Sequence, residues 1–130
     1  MLIDGIDVSP LLKSYTKFEK FRKHLETEQE QAGAIQAFEY TYEQAWKTMK
    51  RLLATKGISV QSPRETFREA ALNNMIKDPN AWFDFIKVRN ITLNTYDEEE
   101  IAQVLSVLDP FSKALQDFLK HIGIACDSTI

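Results

Sequence analysis

Apolar side chains recur at intervals of three and four along nearly the whole chain, and this period restricts the fold more than any composition figure does. Leu11, Leu12, Tyr15, Phe18, Phe21 and Leu25 form the first stripe, which predicts a helix over residues 11–31. Lys17, Glu19, Lys20, Arg22, Lys23, Glu26 and Glu30 lie on its solvated side, and Gly33 offers the break. Ile35, Phe38, Tyr42, Ala45, Trp46, Met49 and Leu53 form the second and clearest stripe, closed by Gly57. Its charges run from Glu39 and Glu43 to Lys47, Lys50 and Arg51, the order that suits a helix dipole. Ser62-Pro63-Arg64-Glu65 joins a cap, a first-turn proline and an acid three residues on, so a third helix starts there and is expected to run to about residue 77. Asp78-Pro79 repeats the device before Trp82, Phe85, Ile86 and Val88. Asp97 with Glu100 opens a last helix through Ile101, Val104, Leu105, Leu108, Phe111, Leu115, Phe118 and Leu119, which Pro110 is expected to kink. The expectation is an all-α fold, an up-and-down four-helix bundle with an additional short helix. A short leader ends near Pro10, and the tail after Gly123 is expected to be a loose terminus in which Ile122 and Ile124 can still pack.

A length of 130 residues suits one core, so residues 1–130 are read as a single domain. Sixteen basic residues against 19 acidic ones leave a net charge of −3, and no global field draws the chain to nucleic acid or to an anionic membrane. The single cysteine, Cys126, cannot close an intrachain disulfide or build a metal cluster, which points to a reducing compartment. The first residues, MLIDGIDVSP, show no basic start followed by an apolar run, and no stretch reaches membrane-spanning length, so a cytoplasmic location without membrane contact is expected.

Little of the familiar chemistry is available. His24 and His121 each have one carboxylate four residues away, Glu28 and Asp117, which falls short of a zinc site and suits a surface or helix-end role. The four glycines are isolated, so no phosphate loop exists, and no Gly-x-Ser-x-Gly elbow occurs. No cofactor and no metal is expected. Phe38, Tyr42 and Trp46 present rings that could stack bases, yet their helical spacing reads first as core. Between residues 47 and 68 stand six basic residues, Lys47, Lys50, Arg51, Lys56, Arg64 and Arg68, against Glu65 alone. That density admits either a solvated helix end or a grip on phosphates, RNA included.

Residues 89–96, Arg-Asn-Ile-Thr-Leu-Asn-Thr-Tyr, crowd polar groups at a helix junction. Arg89 brings a permanent cation with a planar fork of donors and Asn94 an amide, groups fit for a phosphate or a carboxylate. The other reading is that Arg89 and Asn90 cap carbonyls or pair with Glu39 or Glu43. Composition leaves the two open.

The chain resembles the nucleotidyltransferase substrate-binding proteins, helical bundles of the HEPN superfamily that include relatives of the HepT toxins. The likeness is carried by residues 38–47 (FEYTYEQAWK), by Ser62-Pro63-Arg64 with Arg68-Glu69-Ala70, and by Arg89-Asn90 through Thr95-Tyr96-Asp97. It implies a HEPN-like bundle, a homodimer, and a partner in the form of a separate minimal nucleotidyltransferase within a toxin-antitoxin or substrate-presenting pair. Ribonucleases of that superfamily carry an Arg, a short spacer and a His, and HepT-like members add a Tyr that the partner can modify with AMP. Here Arg89 stands for the Arg and Tyr96 for the Tyr, but Asn94 occupies the place of the His. An amide cannot shuttle protons near neutral pH, a role worth about 10²–10⁴-fold in rate, so the resemblance implies a non-catalytic member with the degenerate motif Arg89 and Asn94. A ribonuclease or RNA-binding role is the alternative. Arg89, Asn90, Asn94, Tyr96, Glu39 and Tyr42 are the implied partner- or nucleotide-binding set, with Tyr96 as the AMP acceptor.

Overall fold

The computed structural model describes residues 1–93 and 97–124. Among these the chain forms six helices: α1 (Ser9–Phe21), α2 (Glu28–Thr55), α3 (Pro63–Leu72), α4 (Pro79–Thr92), α5 (Glu98–Leu105) and α6 (Leu108–His121). The fold is an all-α bundle, as the apolar period requires. A two-stranded hairpin, β1 (Leu2–Ile3) and β2 (Ile6–Asp7), precedes it. Asp4 and Gly5 both take positive φ, 50° and 82°, as a two-residue hairpin turn of matching twist demands.

Several helix boundaries differ from those the stripes predict, each for a local reason. The first helix ends at Phe21 and not near residue 31, because Thr27 opens α2 with a reciprocal capping box. Thr27 Oγ1 accepts from the Glu30 N–H at 3.0 Å, and the Glu30 carboxylate accepts from the Thr27 N–H at 2.9 Å. That backbone donor holds the Glu30 carboxyl below the usual carboxylate range. Gly33 therefore lies inside α2 and is no break. The third helix stops at Leu72, short of residue 77, because Asn74 turns left-handed with φ 59° and lets Met75 and Ile76 enter the core. Gly57 and Gly123 end α2 and α6 in the same way, and Ile124 packs into the core. Finally, the last predicted helix is two helices. Pro110 has no N–H to offer the Ser106 carbonyl, and the chain breaks at Ser106 and Val107 before α6 restarts.

The interior is a run of aromatic rings. Phe111 of α6 meets Phe18 of α1, Phe38 of α2, and Trp82 and Phe85 of α4 edge-on, with centroids 4.9–5.8 Å apart. Phe67 of α3 joins through Trp82 at 5.0 Å and Tyr42 at 6.1 Å. One polar clasp crosses between α1 and α6. Glu19, 2% exposed, takes a forked pair of hydrogen bonds from Arg22 at 2.8 and 3.1 Å and one from the Ser112 hydroxyl, while Arg22 also holds Asp109 at 2.9 Å. Every oxygen of the buried carboxylate thereby meets a donor, the condition under which burying it is tolerable.

Candidate functional site

α2 and α4 lie side by side, which brings the C-terminal turn of α4 against the polar face of α2. α2 turns Phe38, Tyr42, Ala45 and Met49 inward, so Glu39 and Glu43, one helical turn apart, come to the outer seam. Two carboxylates at that spacing repel each other, and a cation between them offsets the cost. Arg89 supplies it: Nη1 is 3.7 Å from Glu39 and Nε 3.9 Å from Glu43. Both are ion-pair distances too long for hydrogen bonds. Nη1 donates to the Thr92 hydroxyl at 3.3 Å, and that hydroxyl donates back to the Arg89 carbonyl at 2.6 Å. The Arg89 Nε–H is buried and meets no acceptor among the described residues. This guanidinium is held in place but is not saturated.

The seam extends beyond the residues that sequence reasoning singled out. Glu43 accepts from the indole N–H of Trp46 at 3.1 Å and lies 3.7 Å from Lys47, while Lys50 sits over the Trp46 ring at 5.9 Å. The Glu43–Lys47 spacing of four was the one available signal for it. Glu39 and Glu43 thus face Arg89 and Lys47, with Lys50 close by over the Trp46 ring.

Of the predicted site residues, the fold gathers Glu39, Tyr42 and Arg89. Asn90 is exposed on the outer side of α4. Tyr42 is only 2% exposed, and its ring packs between Phe38 and Phe67, so it forms the floor of the seam and offers no ring to a partner. Burial pushes its phenol well above the ordinary value, with Glu43 adding to the shift and Arg89 opposing it. Phe38 is wholly buried, which removes two of the three rings considered for base stacking. Of the basic residues of 47–68, Lys47 pairs with Glu43, Lys50 covers Trp46, and Arg64 covers Phe83 of α4 at 4.8 Å, while Arg51, Lys56 and Arg68 are exposed. His121 pairs with Asp117 at 3.1 Å, and Asp117 also accepts from the Lys77 N–H. Asn94, Tyr96 and Cys126 lie outside the described residues. Among those described, no group of three or more His, Cys, Asp or Glu could hold a metal ion, and no helix is long and apolar enough to cross a membrane.

Residues 7–123 match the family model described as nucleotidyltransferase substrate binding protein like. A Haemophilus influenzae protein named probable ribonuclease HepT is 39% identical over 85 residues, which cover 62% of this chain and 58% of that protein. The chain therefore matches little more than half the length of that relative. A solved Haemophilus influenzae structure is described as revealing the fold of a substrate binding domain of a nucleotidyltransferase. It is similar with a TM-score of 0.77 and 28% identity, over 89% of this chain and 98% of that one. A Thermus thermophilus protein shares the fold with a TM-score of 0.81 at 24% identity, over 87% of this chain and 98% of its own.

Proposed function

The chain belongs to the nucleotidyltransferase substrate binding protein family, and from that premise we propose that it is the non-catalytic partner of a separate minimal nucleotidyltransferase, to which it presents residues 89–96. The observation that carries this reading is the state of Arg89, placed between Glu39 and Glu43. A guanidinium already balanced by carboxylates holds little electrostatic attraction for an RNA phosphate, and its planar fork suits a partner's carbonyl or carboxylate as well as a phosphate. Asn94 takes the place of a proton-shuttling His, which speaks against hydrolysis as the chain's own task. Tyr96 would serve as the nucleotidyl acceptor. Its hydroxyl needs no histidine beside it when metal ions in the partner enzyme lower the cost of attack. The module would act as a cytoplasmic homodimer within a toxin-antitoxin pair.

Coexpression with a nucleotidyltransferase encoded beside this gene is the test. A stable complex is expected, with a nucleotidyl mass added to the chain and lost in Tyr96→Phe; a chain that purifies alone defeats the reading. The likeness to a probable ribonuclease supports one rival, an RNase with a degenerate site. RNA cleavage that disappears in Arg89→Ala would establish that rival, and no cleavage, or cleavage indifferent to Arg89, would remove it.

A further inference from the structure

A second site lies away from the Arg89 seam, where the hairpin, α1 and α2 enclose an open groove of about 660 Å³. That volume is within the roughly 300–1,000 Å³ typical of small-molecule sites. Its two walls differ in chemistry. α1 supplies Lys13 and Lys17, one turn apart, and among the described residues neither joins an ion pair, Lys17 lying only over the Phe21 ring at 5.6 Å. α2 supplies Gln36 and Tyr40, also one turn apart, and Tyr40 is 57% exposed. A ring left in water on an otherwise well-packed bundle is an open stacking surface.

The floor is largely apolar, and its polar groups are already engaged. The Thr41 hydroxyl donates to the Ser14 carbonyl and the Ser14 hydroxyl to that of Leu11. Asp7, at the hairpin end, accepts from the Ser9 N–H at 3.0 Å, so the carboxylate that lines the groove among the described residues is itself partnered. Gly33 keeps α2 bare where it faces Phe21. Past that point a smaller hollow of about 330 Å³ continues beyond the end of α1, beside Lys20 and His24 and also Glu30, whose carboxylate accepts from the Thr27 N–H. Lys13, Lys17 and Lys20 thus follow one another at spacings of four and three along α1, and His24 stands just past its end.

We propose that this groove binds a nucleoside phosphate, with the base stacked on Tyr40 within reach of the Gln36 amide and the phosphates on Lys13 and Lys17. Further phosphates run toward Lys20 and His24. Neither half suffices alone: a stacking ring without cations favours any flat molecule, and a lysine ridge without the ring favours any anion. The ligand is a free nucleotide or the phosphorylated end of an RNA strand, which share this chemistry.

Calorimetric titration of the purified chain with ATP, AMP, adenosine, tripolyphosphate and a 5′-phosphorylated trinucleotide separates these. One site is expected, filled more tightly by ATP than by AMP, with adenosine and tripolyphosphate each weaker by about tenfold or more, the equivalent of one lost charged or stacking contact. Trinucleotide binding without ATP binding assigns the site to RNA ends. Lys13→Gln with Lys17→Gln, and separately Tyr40→Ala, should each weaken binding about tenfold while leaving the thermal midpoint unchanged, since all three side chains lie on the surface. Binding by neither nucleotide nor trinucleotide overturns the proposal. Tripolyphosphate binding as tight as that of ATP, or affinity indifferent to all three substitutions, overturns it too. Arg89→Ala leaves this binding unchanged, so the groove and the transferase partnership stand or fall separately.

Discussion

Two arginines in this chain each face two carboxylates, and the difference between them separates a structural role from an available one. Arg22 reaches Glu19 through a fork at 2.8 and 3.1 Å and Asp109 at 2.9 Å, and Glu19 is almost wholly buried. Arg89 stands 3.7 and 3.9 Å from Glu39 and Glu43, both of which remain about one-third exposed. Removing the partner of a buried carboxylate strands it, whereas removing the partner of carboxylates that are one-third exposed leaves groups that water can serve. Arg22→Ala is therefore expected to cost about 3 kcal/mol of stability or more. Arg89→Ala should cost less than about 1 kcal/mol, so the seam can be altered without unfolding the chain that presents it. Denaturant titration of both variants checks this, and an Arg89 cost equal to that of Arg22 would make Arg89 a structural residue.

Among the elements, α2 departs most from its sequence-based outline. The Leu25 period suggested a first helix continuing to residue 31, yet the Thr27–Glu30 box restarts the chain and carries Gly33 into a helix interior. The signal was present as Thr-x-x-Glu and was masked by the more conspicuous glycine. Gly33 has a helical backbone, and a Cβ there would meet Phe21 at 3.6–3.7 Å, ordinary van der Waals contact. Gly33→Ala should thus stabilise the fold by about 0.5–1 kcal/mol, the helix-propensity difference, read as a higher denaturation midpoint. The same substitution at Gly57 should destabilise, because φ there is 78°. The split between α5 and α6 follows similar logic: the Pro110 ring was legible, but whether the chain would bend or break depended on how the two segments pack.

For the molecule as a whole, Phe111 has the widest reach, since its ring touches rings from three other helices. Phe111→Ala is expected to cost about 3–5 kcal/mol, a large part of the roughly 5–15 kcal/mol that stabilises a domain of this size. Calorimetry should show it as a fall of ten degrees or more in midpoint, on the order of the shift such a loss brings; a fall of only a few degrees would mean that the rings repack around the hole. The apolar period, the serine and aspartate caps and the scarcity of glycine determined the helical class and the inward set of Phe38, Tyr42, Phe85 and Phe111 from sequence alone, because these signals act within a few residues of one another. The motif around Arg89 was legible too, but only as two open alternatives. Tertiary structure decided that Arg89 meets Glu39 and Glu43 and that Lys13 and Tyr40 share a groove. Those pairings join residues far apart along the chain, and their distances are set by how helices cross, which no local period encodes.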